Sequence, residues 1–240
     1  VRGLYRAEKA GHTGSLDPLA SGLLPVCFGE ATKLTTFLLS DDKGYRATAR
    51  LGIRTDTYDA DGRPLYEASF DHLDADTIDA ALQRFVGEID QVPPMYSALK
   101  RGGLPLYELA RQGVEVAREA RRVRVDRIRM IEWTPPFLVF DLDCSSGTYV
   151  RSLVDDLGQQ LGCGAHVHAL RRTWAAPFRD PVMHGLMDLD ALMGNLPALD
   201  AHLLPVEVMV EGLPKCTLEG EDVLRFGRHG NQVVVDQAPI

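Results

Sequence analysis

The chain has 240 residues, 45% hydrophobic and 25% charged, a composition typical of globular proteins with a substantial core. No apolar run approaches the roughly 18 residues that a membrane-spanning helix needs, and the opening VRGLYRAEKAG has no apolar block typical of a signal peptide. The formal net charge of −8 argues against a protein that binds nucleic acid over its whole surface. The four cysteines are widely spaced, which favours free thiols in a reducing cytoplasm (Cys27, Cys144, Cys163, Cys216).

The spacing of apolar residues and the positions of proline and glycine predict helices and strands in a mixed order. In chain order, the predicted elements are a helix at 31–39, a strand at 44–53, a turn-rich loop at 54–62, a helix at 74–86, an irregular stretch at 91–103 followed by a helix-like YELARQG, strands at 121–133 and 137–144, a helix at 147–162 and a strand at 164–174.

This order lacks the regular β–α alternation and the glycine fingerprint of a doubly wound parallel sheet. We therefore predict an α+β fold with a mixed, largely antiparallel sheet. After about residue 200 the composition becomes acidic, and the short segments VEVMV and QVVVD are predicted to be strands separated by glycine turns. The end of the chain is therefore expected to form part of a second, small β-rich unit.

Basic residues are concentrated in one part of this acidic chain. The window 100–129 holds nine Lys and Arg residues and four acids, and all but one of its cations are arginine. The planar guanidinium suits phosphate oxygens, which favours a nucleic-acid contact. A solvated helix face followed by a charged strand explains the same pattern equally well.

Motifs for metal and nucleotide chemistry are weak or absent in the sequence. The segment CGAHVH brings Cys163, His166 and His168 close together, but no second pair of ligands completes a zinc motif, so structural or RNA-facing histidines are favoured. Neither GxSxG nor a phosphate-binding glycine loop is present. We therefore expect neither a metal nor a cofactor.

The segment GHTGSLDPLASGLLP contains one carboxylate, Asp17, followed by a proline. Asp-Pro is typical of a helix N-cap with proline at the first helical position, which would make LASGLL a short helix. The same geometry would suit a nucleophile at the mouth of a cleft, where Gly11 and Gly14 allow another molecule to approach closely. Spacing alone leaves both interpretations open.

Four segments together resemble the bacterial tRNA pseudouridine synthases of the TruB type. They are GHTGSLDPLASGLLPVCFGEATK, DKGYRATARLGIRTDTYDADG, VPPMYSALKRGGLPLYELARQG and CSSGTYVRSLVDDLGQQLGCGAHVHALRRT, in the same order as in that family. The resemblance covers roughly residues 6–180. It implies isomerisation of the T-loop uridine at position 55 of tRNA, without a cofactor and without a metal.

The resemblance also implies a domain organisation. A catalytic domain would span 1–200 and include a thumb-like RNA-binding insertion at about 91–115, and 201–240 would begin a small PUA-like RNA-binding domain. The family begins with a strand and a KPxGxSS-like segment, and this chain opens beyond it, as expected of a truncated chain. The implied partner is the T-arm stem-loop of tRNA, bound by a monomer in the cytoplasm with no membrane and no obligate protein partner.

Residue roles follow from the resemblance position by position. The catalytic aspartate of the family falls on Asp17, its active-site tyrosine on Tyr45 and its active-site arginine on Arg151. Positions that contact the uridine or the RNA loop fall on His12, Tyr149 and Leu170. The basic window 100–129 would then bind the T-arm phosphates. Within it, we predict that Arg122 and Arg124 bind RNA.

Three of these residues also have a structural alternative. Tyr45 could be a cross-strand core aromatic, His12 a turn histidine, and Arg151 one member of a surface ion pair of little energetic weight. Two other functions remain open at this point. One is a non-catalytic RNA-binding protein, and the other is a glycoside hydrolase, although no second acid in the sequence pairs obviously with Asp17.

Overall fold

The computed structural model describes residues 1–38, 42–211 and 220. The strands in this part of the chain are β1 Ala10–His12, β2 Ala20–Gly22, β3 Val26–Phe28, β4 Lys43–Leu51, β5 Ile53–Thr55, β6 Pro64–Glu67, β7 Gly87–Gln91, β8 Lys100–Arg101, β9 Leu104–Pro105, β10 Arg121–Thr134, β11 Phe137–Cys144 and β12 Ala165–Ala175. The α-helices are α1 Thr35–Leu38, α2 Ala75–Gln83, α3 Leu106–Arg111, α4 Val150–Gln160, α5 Leu186–Asp190 and α6 Leu196–Asp200, and 3₁₀-helices span Gly29–Leu34 and Val206–Val210.

Six strands form the central sheet, in the order β2-β12-β4-β11-β10-β7. Only the β2–β12 pair is parallel, and the other neighbours are antiparallel. The α+β class with a mixed, largely antiparallel sheet is therefore confirmed. The long strands β10 and β11 occur where the sequence predicted them, because alternation over 14 and 8 residues is a strong signal for a half-buried strand.

The core lies on the face of the sheet that α2 and α4 cover. Leu138, Phe140 and Leu142 alternate along β11 and are fully buried, as are Ala47 and Ala49 on β4. The two helices contribute the other half of this core through apolar residues at helical spacing (Ile78, Leu82, Leu153, Val154, Leu157). The opposite face carries charged pairs, such as Arg46 on β4 with its cross-strand partner Asp141 on β11, so it needs no apolar cover.

Helix α4 approaches β12 so closely that its interior requires a glycine. A Cβ at Gly158 would lie 2.1 Å from the backbone nitrogen of Ala165, a distance that no side chain tolerates. The carbonyl of Gly158 also accepts a hydrogen bond from the backbone of Gly164 at 2.9 Å. This close contact fixes the helix on the sheet and thereby fixes the position of Arg151 in its first turn.

Some local predictions were wrong. The helix predicted at 31–39 is a 3₁₀-helix at Gly29–Leu34 continued by α1, and residue 39 lies outside the described residues. The predicted strand VEVMV is a 3₁₀-helix at Val206–Val210, because the carbonyl of Pro205 accepts a local bond from Val208 and no neighbouring strand pairs with it among the residues described. The predicted strand QVVVD lies outside the described residues.

The irregular stretch around Pro93 and Pro94 agrees with the prediction, and a short hairpin of β8 and β9 follows it. Gly102 and Gly103 both have positive φ at its two-residue turn, as this type of tight hairpin requires. The chain divides into two compact units, Val1–His202 and Leu203–Ile240. Over the part that the structure describes, every helix is too short or too polar to cross a lipid bilayer.

Candidate active site

Asp17 lies in a loop between β1 and β2. The segment after it is a turn followed by strand β2, closed by a hydrogen bond from the backbone of Ala20 to the Asp17 carbonyl at 2.8 Å. The N-cap interpretation of Asp17 is therefore wrong, because no helix follows for it to cap. LASGLL instead supplies an edge strand that pairs in parallel with β12.

Arg151 of α4 holds the Asp17 carboxylate in a bidentate pair. Its Nε donates to Oδ2 at 2.7 Å and its Nη2 donates to Oδ1 at 2.9 Å. The Arg151 side chain is 4% exposed, whereas that of Asp17 is 32% exposed. The alternative of a surface ion pair for Arg151 is therefore wrong, since the guanidinium is buried and the carboxylate opens to solvent on one side.

Two further segments fix the Arg151 guanidinium. Its Nη1 donates to the carbonyl of Thr57 at 3.2 Å and lies 3.5 Å from the carboxylate of Asp59, and its Nη2 donates to the carbonyl of Tyr96 at 2.8 Å. Asp59 is itself buried, with a side chain 8% exposed. The loops at 55–62 and 93–97 therefore converge with the Asp17 loop on one cation, which leaves it little freedom to move.

A second arginine supports the 55–62 loop. Arg54 forms a bidentate pair with Asp155 of α4 at 2.6 and 2.9 Å, and its guanidinium lies 5.5 Å from the ring centre of Tyr58. Tyr58 has a φ of +64°, which is uncommon for a residue other than glycine. Strained backbone of this kind persists where the surrounding structure determines it, often next to a functional site.

Tyr45 lies on β4, opposite Arg172 on β12, and packs against the core. Burial raises the pKa of its phenol to about 12, and Cys144 and Asp17 act in the same direction, whereas Arg172 lowers this pKa. The hydroxyl is therefore neutral at physiological pH. Its packing agrees with the core-aromatic alternative, and its role at the carboxylate stays a prediction.

Tyr149 immediately precedes α4 and is held by its backbone. The Gln91 side chain accepts from the Tyr149 amide at 2.8 Å and donates to the Tyr149 carbonyl at 3.1 Å. Burial is the main cause of the raised pKa of the Tyr149 phenol, and the charge of Asp17 adds to it. Tyr149 is therefore fixed two residues before Arg151, at the start of the helix that carries the guanidinium.

Leu170 and His12, which were also predicted for the site, differ in their burial and in their contacts. Leu170 is buried on β12 and pairs with Ala20, three residues after Asp17. His12 is exposed at the end of β1, where its Nδ1 accepts from the Gly14 amide at 3.4 Å, and none of the contacts within the described residues joins it to Asp17. This geometry agrees with the turn-histidine alternative.

Arg122 and Arg124 lie on β10, and both face acids. Arg122 is 3.6 Å from Glu88 and from Asp90, and its side chain is 68% exposed. Arg124 is held more tightly, by Asp126 at 2.6 Å and Asp42 at 3.1 Å. Sequence alone overstated the free positive charge of this window, because acids from outside it, Asp42, Glu88 and Asp90, also pair with its arginines.

The CGAHVH segment forms no cluster that could hold a metal ion within the described part of the chain. His166 is buried, and its Nδ1 forms a hydrogen bond with the carbonyl of Ile53 at 2.9 Å. Burial is the main cause of its lowered pKa, so the ring favours its neutral form. This hydrogen bond gives His166 a structural role, and the absence of a metal and of a cofactor stays a prediction.

Sequence reasoning missed three residues of the site: Asp59, Gln91 and Arg172. Each is a buried polar residue that acts on a segment far away in the sequence. The only signal was the polar character of these positions within mainly apolar surroundings, since a buried polar side chain needs a partner. Nothing in the sequence indicated which partner each would have.

Comparison with known proteins identifies the family that has these features. Residues 2–150 match the model described as TruB family pseudouridylate synthase (N terminal domain), and residues 151–211 match the model described as tRNA pseudouridylate synthase B C-terminal domain. The second match begins at the first turn of α4, inside the larger compact unit.

Individual relatives agree with these matches. A protein of Actinobacillus pleuropneumoniae serotype 5b (strain L20), named tRNA pseudouridine synthase B, is 51% identical over 229 residues, which are 95% of this chain and 75% of that protein. A protein of the same name from Vibrio cholerae serotype O1 (strain ATCC 39541 / Classical Ogawa 395 / O395) is 48% identical over 247 residues, covering 100% of this chain and 78% of that protein.

Solved structures share the fold. A chain of the crystal structure of a Cbf5-Nop10-Gar1 complex superimposes with a TM-score of 0.68 at 31% identity, over 89% of this chain and 56% of that chain. A structure of an H/ACA RNP bound to a substrate RNA containing 2′-deoxyuridine gives 0.63 at 28% identity, over 89% of this chain and 55% of that chain. With both family models matched in order across residues 2–211, the chain belongs to the TruB family of pseudouridylate synthases.

Proposed function

We propose that this chain isomerises the uridine at position 55 in the T-loop of tRNA to pseudouridine, with Asp17 as the catalytic carboxylate. One observation carries the proposal. The partly exposed carboxylate of Asp17 accepts hydrogen bonds through both of its oxygens from the buried guanidinium of Arg151. A carboxylate held in a fixed orientation can be aimed at a bound sugar. Family membership supports tRNA as the substrate.

The reaction breaks the N1–C1′ bond of uridine and forms a C5–C1′ bond, with no net oxidation or reduction. The carboxylate of Asp17 would act at the ribose, either by attack on C1′ or by removal of the 2′ hydrogen. The C5 proton leaves once the carbon–carbon bond has formed, and N1 takes up a proton. The Tyr45 hydroxyl is the proposed relay for the C5 proton.

The target base must leave its stack before the carboxylate can reach the sugar, at a cost of a few kcal/mol. Tyr45 and Tyr149 supply ring faces that could receive the flipped uracil. Leu170 borders the same loop, and His12, exposed on the glycine-rich turn, would occupy the gap left by the base. The segment 91–115 would contact the T-arm as a thumb-like insertion, and 201–240 would begin a PUA-like domain.

A direct assay tests the function. The protein is incubated with a T-arm stem-loop RNA, and the nucleosides are separated after digestion. We expect the C-glycoside pseudouridine in place of the target uridine, with no free uracil. Free uracil would instead indicate glycoside hydrolysis, and unchanged uridine with tight binding would indicate a non-catalytic RNA-binding protein. We further propose that the protein acts as a monomer in the cytoplasm, without an obligate protein partner.

The pKa of Tyr45 gives a prediction for the proton relay. Because burial raises this pKa from 10 to about 12, the phenol stays neutral below pH 9 and does not itself act as a base there. We expect Tyr45→Phe to lower turnover by about 100-fold, the lower range for a lost proton-transfer group. The pH–rate profile from pH 7 to pH 9 should keep its shape, as measured by initial rates on the T-arm RNA. An alkaline limb that disappears with this substitution would contradict the neutral phenol.

The RNA-binding arginines give a second prediction. We expect Arg122→Glu combined with Arg124→Glu to weaken T-arm binding, with the loss shrinking as salt concentration rises. The single change at Arg122 should weaken binding more than the change at Arg124, because Arg122 is more exposed and less tightly paired. Equilibrium binding at several salt concentrations measures both effects. Unchanged affinity of the double variant at low salt would exclude this face from the RNA contact.

A further inference from the structure

Arg172 on β12 is a fully buried arginine that binds the loop carrying Asp17. The residue is 1% exposed. Its Nε donates to the carbonyl of Leu23 at 2.7 Å, while Nη1 and Nη2 donate to the carbonyls of Ser15 and Gly14 at 3.4 and 3.3 Å. One guanidinium therefore bridges the two sides of the loop, before and after Asp17.

The backbone of Arg172 reinforces this bridge. Its carbonyl accepts from the Leu23 amide at 2.9 Å, beside the parallel pairing of β2 with β12. A Cβ at Gly22 would lie 2.2 Å from that same carbonyl, and Gly22 has a φ of +96°, so only glycine fits there. Both ends of the segment 14–23 are thus attached to one residue of the central sheet.

The Arg172 guanidinium also interacts with Tyr45, one of the predicted site residues. Within the part of the chain that the structure describes, Arg172 donates to three backbone carbonyls and interacts with the Tyr45 hydroxyl, and it forms no ion pair with a carboxylate. It lies opposite Tyr45 in the sheet, where its charge opposes the burial that raises the pKa of the phenol. A buried guanidinium without a carboxylate partner is costly, so its retention calls for another reason.

We propose that Arg172 is a positioning residue for the isomerisation, which fixes the loop 14–23 so that the Asp17 carboxylate meets Arg151 and the sugar in a productive geometry. The proposal rests on the proposed catalytic role of Asp17. Arg151 binds the carboxylate itself, whereas Arg172 acts on the backbone that carries it. Arginine is suited to binding the loop backbone, because the several N–H donors of its planar guanidinium reach three carbonyls, which a single ammonium group cannot bridge.

The experiment compares Arg172→Lys, Arg172→Gln and Arg172→Ala with Arg171→Gln. Arg171 is the matched control, since it is the preceding residue of the same strand and is exposed. Single-turnover rates and dissociation constants are measured on the T-arm RNA, below the melting temperature of each variant. We expect turnover of the Arg172 variants to fall about 100-fold, the effect of a roughly 1 Å misplacement of a reacting group. RNA affinity should stay within a few-fold of the wild type, and the control should keep wild-type turnover.

Chemical rescue separates positioning from a general loss of structure. Millimolar guanidinium should restore turnover of the Arg172→Ala enzyme, whereas urea, which has similar donors but no charge, should restore less. If the alanine variant does not fold, the lysine variant still tests the proposal, because lysine keeps the positive charge but cannot donate to the carbonyls on both sides of the loop. Wild-type turnover in a folded Arg172→Lys or Arg172→Gln enzyme would overturn the proposal. A wild-type enzyme that forms no pseudouridine would instead refute the proposed function.

Discussion

Asp17→Asn is expected to abolish turnover while leaving the fold and RNA binding nearly unchanged. The amide keeps the size of the carboxylate but neither attacks C1′ nor accepts the 2′ hydrogen. The rate should fall by at least about 10²–10⁴-fold, the contribution of a positioned general base, and further if the carboxylate is the nucleophile. Pseudouridine formation on the T-arm RNA, followed under single-turnover conditions, measures the loss.

The matched control for this change is Asp180→Asn, because Asp180 is an exposed carboxylate of the same unit. It should keep wild-type turnover, affinity and melting temperature. Binding of the Asp17→Asn protein to the same RNA should remain within a few-fold of the wild type, since the variant alters no cation. Near-normal turnover in the Asp17→Asn enzyme would remove the carboxylate from the mechanism and with it the proposed site.

Replacing Arg151 should damage both stability and activity. In Arg151→Met, the buried Asp59 loses its cation and Asp17 loses both of its hydrogen-bond donors. Breaking a buried ion pair by removing one partner costs about 3–5 kcal/mol of the free energy of unfolding. Turnover should fall as well, because the Asp17 carboxylate is no longer oriented. Chemical denaturation and the T-arm assay measure the two effects separately.

Two further variants make the Arg151 result specific. Arg46→Met removes an equally bidentate pair, with Asp141 at 2.7 and 3.0 Å, on the exposed face of the sheet, and it should cost less than about 1 kcal/mol. Adding Asp59→Asn to Arg151→Met should recover part of the stability, because it removes the uncompensated charge, but none of the activity. If Arg151→Met costs no more than Arg46→Met, the guanidinium does not act as the buried centre of the site.

The central strands and the main helix of the catalytic unit could be predicted from the sequence. Strict alternation in RRVRVDRIRMIEW and the amphipathic run after GTY each report the face that is buried, and burial is the dominant local signal. The positions of Asp17, Tyr45 and Arg151 followed from their resemblance to a family pattern. The structure joins Asp17 and Arg151, 134 residues apart in the sequence, in a direct ion pair, and it places Tyr45 on the central strand β4.

Predictions that depended on weak local signals were the ones that failed. The proline after Asp17 suggested a helix cap, yet pairing with β12 turns the following residues into a strand. Five alternating residues at Val206–Val210 suggested a strand, but the segment is a 3₁₀-helix, in which the Val208 amide donates to the carbonyl of the preceding proline. In both cases the sequence is short enough to suit either structure, and its surroundings decide between them.

By itself, the sequence determined the α+β class, the long strands, helix α4 and the family pattern around Asp17. These features depend on the spacing of apolar residues and on short motifs, which involve residues that are close together in the sequence. Only the tertiary structure decided that Arg151 is buried and shared between Asp17 and Asp59, that Arg172 bridges the loop, and that Arg124 is neutralised. The physical reason is that charge compensation and hydrogen bonding of buried polar groups are long-range. Their partners come from segments that meet only when the chain has folded.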